Sequence, residues 1–460
     1  MIIRWSNLQI KFIFSLLVFD ILLINSQVNA GLIDSIKCKN DTAIIYSFYI
    51  PEMLNQYEKL IYIMDPGGRV SLAMQKFKKV SDEQGYLLVC SYSSTNGPIK
   101  FNEKIFAHVI EDIKERYNSS LSNLILAGFS GGSRAAFAIA KNNNHLIDGV
   151  IACGSALPAN TIINKKLEFL YTGIIGVEDM NFYEMYDLSI TLDQTESNSH
   201  FIYFKGGHSW PPEQSLSMAL KWISMQMNDN LEKKTEELIN QQFDQYKNTI
   251  EQYNQFLESQ VQLKVYENFI KTFKGSENIK PYLDSVNILK QNPVIKKNIK
   301  RFHVAKNTFY EEQKKYIDAF RKVANYEFRP DDIQNESWWV REVRFINGLV
   351  RKKDLESTLL GKRLFDFIWR MCAERGYIAF NNENYKSTIE FDRIWKIIQT
   401  DSYYPYLRSA KSYLELLQPE MAITELKYAI KKGFSNIQYL QENYSGLIGD
   451  KKFDKLLMDQ

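Results

Sequence analysis

The pentapeptide Gly128-Phe129-Ser130-Gly131-Gly132 is where this chain concentrates residues able to do chemistry. An apolar run from Asn123 enters it, and an alanine-rich helical stretch leaves it. A serine between such glycines, at a strand-to-helix turn, is presented as a nucleophile at the head of the helix. The glycines are required because a Cβ at Gly128 or Gly132 would collide with the neighbouring strand or helix. The helix N-terminus adds free N–H groups and partial positive charge beside the reacting oxygen. The pattern is short, so its meaning depends on whether a base and an acid follow in usable places.

A nucleophilic serine needs a base in hydrogen-bond reach and a third group that orients the base. The chain has five histidines. His108, His145 and His303 fall in helical or loop segments away from a strand end, and His200 begins a strand and would point from its wrong end. His208 stands in Phe204-Lys205-Gly206-Gly207-His208-Ser209-Trp210-Pro211, just past the carboxyl end of the last strand. Catalytic groups in α/β sheets gather at that end. The acid is expected after the preceding strand, where Glu178 and Asp179 stand side by side. Asp179 is the preferred residue, with Glu178 an open alternative.

The negative oxygen formed on attack needs two backbone donors. Gly131, directly after the serine, is expected to supply one. The loop Asp65-Pro66-Gly67-Gly68-Arg69 is expected to supply the other, with Gly68 the favoured residue.

Residues 40–226 resemble the α/β-hydrolase superfamily, and most of all its secreted esterase branch of polyhydroxybutyrate-depolymerase-like and feruloyl-esterase-like proteins. The residues that carry the resemblance are Gly128 to Gly132 and Gly206-Gly207-His208-Ser209-Trp210-Pro211, close to the Gly-Gly-His-Thr-Trp-Pro run of that branch. The resemblance implies Ser130 as nucleophile, His208 as base and Asp179 as its orienting acid. The chain departs from the branch in the oxyanion loop, with Pro66-Gly67 where members usually carry His-Gly.

These groups must be held by alternating strands and helices. Strands are expected at 42–51, 59–64, 85–90, before Ser130, and at 149–154, 167–173 and 200–204, with helices at 70–83, at 102–117 and from the serine turn to 141, and a last helix at 215–226. Continuously apolar strands separated by helices predict a mostly parallel sheet covered on both faces. Only about a dozen residues separate the strand at Cys153 from the next, too few for a cap. The site is therefore expected to be open unless the C-terminal region folds over it.

At 460 residues the chain exceeds one ordinary core, and two or three domains are expected. Residues 1–30, with Arg4, Lys11, an apolar run and Val28-Asn29-Ala30, read as a signal peptide, with an uncleaved anchor as the alternative. The hydrolase-like domain is expected over 31–228, a helical region over 229–360, and tetratricopeptide-like repeats over 361–460. An amphipathic seam, Ile239, Phe243, Tyr246, Ile250, Tyr253 and Leu257, opens the helical part. In the last repeat Ala410, Tyr413, Ala422, Leu426 and Ala429 occupy the small or apolar offsets. One repeat earlier stand Gly376, Ala379, Thr388, Asp392 and Trp395, of which Asp392 and Trp395 suit their offsets poorly. The four cysteines read as buried small side chains, and the basic run 296–306 as a solvated helix face.

The function expected is a secreted or periplasmic serine hydrolase cleaving carboxylic esters, large or polymeric ones included, without metal or organic cofactor. A net charge of +3 gives no reason to expect nucleic acid, and no stable membrane span is expected in the mature chain. Two other readings compete. One is a serine peptidase of the prolyl-oligopeptidase type. The other is a silent hydrolase-fold scaffold whose helical repeats bind a protein partner.

Overall fold

The computed structural model describes residues 31–52, 58–117, 119–227, 243–244, 247–249, 251–253, 255–273, 279–324 and 335–458. The expected signal peptide lies outside them, as do Ile239, Tyr246 and Ile250 of the amphipathic seam.

The sheet has eight strands: β1 (Gly31–Lys37), β2 (Ile45–Ile50), β3 (Lys59–Met64), β4 (Leu87–Ser91), β5 (Asn123–Phe129), β6 (Gly149–Cys153), β7 (Leu170–Gly176) and β8 (Ser199–Phe204). Their spatial order is β1-β2-β4-β3-β5-β6-β7-β8. Strand β2 runs antiparallel to both β1 and β4, and all other pairs are parallel. The inner strands are buried along nearly their whole length, as a sheet covered on both faces requires. Helices α1 (Val70–Gln84), α2 (Ile99–Tyr117), α3 (Gly131–Asn142), α4 (Phe182–Gln194) and α5 (Glu213–Met227) connect and cover them.

The sequence reading departs from this layout in three places. Edge strand β1 was not expected, because its exposure alternates irregularly around Ser35, which has φ of 55°. Helix α4 was not expected either. Strand β7 does not end at Gly173 but runs on to Gly176, pairing Ile174 and Ile175 with Ile202 and Tyr203 of β8. Gly173 is instead a gap in mid-strand that the Phe201 ring and Met185 fill.

Beyond the sheet the described chain is helical. The helices are α6 (Ser259–Thr272), α7 (Lys280–Gln291), α8 (Pro293–Ala324), α9 (Glu336–Val350), α10 (Leu355–Asn381), α11 (Tyr385–Ile398), α12 (Tyr404–Glu415), α13 (Pro419–Lys431), α14 (Ile437–Asn443) and α15 (Lys451–Met458). The boundary expected between 360 and 361 falls inside α10, which is continuous there; the preceding turn lies at 351–354. The core is likewise divided elsewhere. Residues of α6 to α11 up to Ile398 share one apolar core with the sheet, and a second core begins at Leu407. Phe243, Tyr253 and Leu257 of the expected seam join the first core rather than one of their own.

In α12 and α13 the expected small positions Ala410, Ala422 and Ala429 are fully buried, with Leu426 beside them. Asp392, awkward as a repeat residue, is buried in α11 and accepts from Arg408 Nε at 3.0 Å and Nη2 at 2.6 Å. All four cysteines are buried and free. No described helix is long and apolar enough to cross a membrane.

Candidate active site

Strand β5 delivers Ser130 to the carboxyl edge of the sheet, and α3 starts at the next residue. Ser130 has φ of 53° and ψ of −120°, a strained backbone that sequence-local forces alone would not choose. Two features hold it. The Ser130 N–H donates to the Cys153 carbonyl on β6 at 2.8 Å, and Ser133 Oγ donates to the Ser130 carbonyl at 2.8 Å. The glycines behave as their positions demanded. A Cβ on Gly128 would overlap the Gly132 carbonyl, and one on Gly132 would overlap the Met64 carbonyl on β3.

His208 lies beyond β8, with Nε2 2.9 Å from Ser130 Oγ and Nδ1 2.9 Å from Asp179 Oδ2. The second oxygen of Asp179 accepts the Asn181 N–H at 2.8 Å. Asp179 and His208 are buried, while Ser130 stays partly open to solvent. The Phe129 ring lies 4.7 Å from the imidazole and screens one side of it. A dry carboxylate–imidazole contact that ends at a more open hydroxyl is suited to moving the serine proton through the ring. The alternative acid, Glu178, turns away: its Oε1 accepts from Lys362 Nζ at 2.6 Å.

The other histidines take no part in this arrangement. His200 is buried against Trp222, ring centroids 5.5 Å apart, and burial pushes its pKa down to about 3, so it stays neutral. Among the described residues no group of three or more His, Cys, Asp or Glu side chains is placed to hold a metal ion.

Gly131 and Gly68 fare differently. Gly131 is the first residue of α3, where helix geometry leaves the N–H without an intrahelical acceptor. The Asn96 side chain sits against it, where a Cβ would collide. Gly68, by contrast, donates its N–H to the Asp65 carbonyl at 3.1 Å. Gly67 and Arg69 give theirs to the Asp65 carboxylate at 2.9 and 3.3 Å. The loop therefore winds around Asp65, a fully buried carboxylate that needs donors, and Gly68 is not a free oxyanion donor. Burial pushes the Asp65 carboxyl up, but bonds from Arg69, Trp210 and Gly67 outweigh it and leave its pKa below the ordinary value.

Sequence reasoning missed several supporting groups. Trp210 Nε1 donates to Asp65 Oδ2 at 2.8 Å and so ties the His208 loop to the end of β3. A buried tryptophan needs an acceptor for its N–H, which was a usable signal. Asn181 Nδ2 donates to the Gly154 carbonyl at 2.8 Å, linking the acid loop to the end of β6. Asp366 and Arg370, far along the chain in α10, bond to the backbone of the acid and base loops. Burial pushes the Asp366 carboxyl up, with Arg370 opposing and Asp179 adding to it.

The strand order, the single antiparallel second strand of the inner sheet and a serine turn after β5 are decisive for the architecture. This is the α/β-hydrolase fold. Neither family models nor curated proteins give a match to the chain. Solved structures similar to it include the Francisella virulence factor BioJ, 14% identical, covering 45% of this chain and 89% of that one at a TM-score of 0.35. A feruloyl esterase module from Clostridium thermocellum, complexed with sinapinate, is 14% identical over 41% of this chain and 84% of its own, at 0.32. A dienelactone hydrolase from Anabaena variabilis is 13% identical over 43% and 97%, at 0.34.

Proposed function

We propose that the chain is a serine hydrolase of carboxylic esters, with Ser130 as nucleophile, His208 as general base and Asp179 as the acid that orients it. The carrying observation is the continuous hydrogen-bonded path from Ser130 Oγ through both ring nitrogens of His208 to Asp179. Ser130 Oγ attacks the ester carbonyl as His208 Nε2 takes its proton. The oxyanion develops beside the Gly131 N–H and the first turn of α3. Collapse expels the alkoxide, which leaves with the proton from His208. Water, deprotonated by the same nitrogen, then releases the acid and restores Ser130. Asp179 holds the ring in place and stabilises the imidazolium as it forms.

The segment 154–169 between β6 and β7 contains no helix, which supports a site without a cap at that place and access for a large ester. Export after cleavage behind Ala30 belongs to the same proposal and rests on the leader pattern of residues 1–30. A protein partner of the terminal helices would meet the open groove of about 860 Å³ lined by Tyr377, Trp395, Tyr404, Arg408 and Tyr439.

The test is turnover of p-nitrophenyl esters beside peptide anilides. Asp179→Asn is expected to lower kcat by about 10⁴-fold, as loss of the orienting acid does in serine hydrolases. Equal rates for wild type and Ser130→Ala would defeat the reading, and faster cleavage of anilides than esters would make it a peptidase.

A further inference from the structure

Helix α10 places Arg363, Asp366 and Arg370 at spacings of three and four, on one face. That face lies along the two loops carrying Asp179 and His208. Arg363 Nε donates to the Val177 carbonyl at 2.8 Å, two residues before Asp179. Asp366 Oδ2 accepts the N–H of Met180, the residue after Asp179, at 3.1 Å. Arg370 Nη2 donates to the carbonyl of His208 itself at 2.6 Å. Asp366 and Arg370 also bind each other, Nε to Oδ1 at 2.9 Å. One ion pair thus connects the backbone beside the acid to the backbone of the base.

The two loops already meet at their roots, where Val177 N–H donates to Phe204 and Glu178 N–H to Gly206. At and just past those roots the base loop carries Gly206 and Gly207 ahead of His208, the residues least able to hold a fixed path. Asp366 stands over this stretch, 3.7 Å from where a Gly207 Cβ would be. Side chains from a rigid helix therefore fix what the glycines leave loose. Both are mostly buried, with side-chain exposures of 11% for Asp366 and 20% for Arg370, so their bonds are shielded from competing water.

We propose that Asp366 and Arg370 are positioning residues for hydrolysis: they hold the Asp179 and His208 loops at the separation the proton path needs, and α10 thereby completes the site. The inference rests on the serine-hydrolase reading above. Neither residue touches the substrate. Their effect is on the fraction of molecules in which Ser130, His208 and Asp179 are in line, and misplacement of about 1 Å in such a relay can lower the rate about 100-fold.

The experiment uses the full chain as wild type, Ser130→Ala, Arg370→Ala, Arg370→Lys and Asp366→Asn. Steady-state kinetics with p-nitrophenyl butyrate, thermal unfolding and hydrogen exchange of segments 176–182 and 205–210 are read for each. Arg370→Ala is expected to lower kcat by about 10- to 100-fold with KM unchanged and faster exchange in those two segments. Arg370→Lys should recover only part, because one ammonium cannot span the Asp366 carboxylate and the His208 carbonyl as a planar fork does. Asp366→Asn, which keeps an acceptor for Met180, should fall between wild type and Arg370→Ala. Unchanged kcat and exchange in Arg370→Ala would overturn the proposal. So would a loss of kcat that scales only with a fallen folded fraction, measured by circular dichroism. Wild type no faster than Ser130→Ala would instead sink the hydrolase reading, and the exchange data would still decide whether the pair holds the loops.

Discussion

Helices α6 to α11 bury their apolar faces in the core of the sheet, whereas α12 to α15 close a second core around Leu407, Leu426, Tyr444 and Phe453. In the first group Phe302 of α8 packs edge-on against Tyr183 and Tyr186 of α4. Arg363 lies over the Phe182 ring at 3.7 Å and forms a fully buried bidentate pair with Glu258. In the second group the links back are largely polar. Arg408 reaches the Cys372 and Ala373 carbonyls of α10 and the Asp392 carboxylate of α11, and Lys396 pairs with Glu425. Shared apolar burial makes two elements unfold as one, since separating them returns that surface to water. Polar links between separate cores do not impose this. The helices that carry no expected catalytic residue thus divide into a frame for the site and a terminal unit with its own apolar core.

Arg363→Ala strikes the frame hardest. It leaves Glu258 charged and unpaired in the core, and is expected to remove about 3–5 kcal/mol of unfolding free energy. Urea unfolding followed by turnover and by circular dichroism should shift together. If turnover survives to the wild-type midpoint, α10 is not part of the frame. Leu426→Ala opens the terminal core instead, for a loss of about 2–5 kcal/mol confined to that unit. Its turnover midpoint should match wild type while the helical signal begins to fall earlier, and a matching fall of both would erase the distinction between the two groups.

A smaller effect is expected from pH. Burial raises Asp392 to about 6 in the folded chain, against the ordinary 3.8, with Arg408 pulling the other way. A carboxyl raised by folding stabilises most below its unfolded value, and that contribution is lost as pH rises through about 6. The contact of α12 with α11, where Asp392 meets Arg408, should therefore resist urea better at pH 5 than at pH 7.5, and Asp392→Asn should flatten this difference. No change of the profile in the variant would place the pH dependence elsewhere.

The sequence made the Ser130 turn legible because its logic is local. Gly128 and Gly132 are forced by backbone approaches one strand or one turn away, and His208 and Asp179 follow from the order of strands along the chain. Gly68 misled because the direction of a turn's N–H groups depends on a neighbour, and buried Asp65 claims all three. Asp366 and Arg370 were hidden for a different reason. A carboxylate four residues before an arginine on a helix reads equally well as a solvated surface pair. Only contacts to Met180 and His208, 186 and 162 residues away, give it a role. Gly376 shows a partial reading: a small residue is needed there, but to admit the Arg408 guanidinium rather than a crossing helix.

The most direct measurement is labelling of the purified chain with a fluorophosphonate, read by peptide mass spectrometry. The expected result is one adduct per chain on the peptide containing Ser130, absent from Ser130→Ala and slowed in His208→Ala. An unlabelled wild type, or an adduct on another serine that persists in Ser130→Ala, would contradict the assignment of Ser130 as the nucleophile.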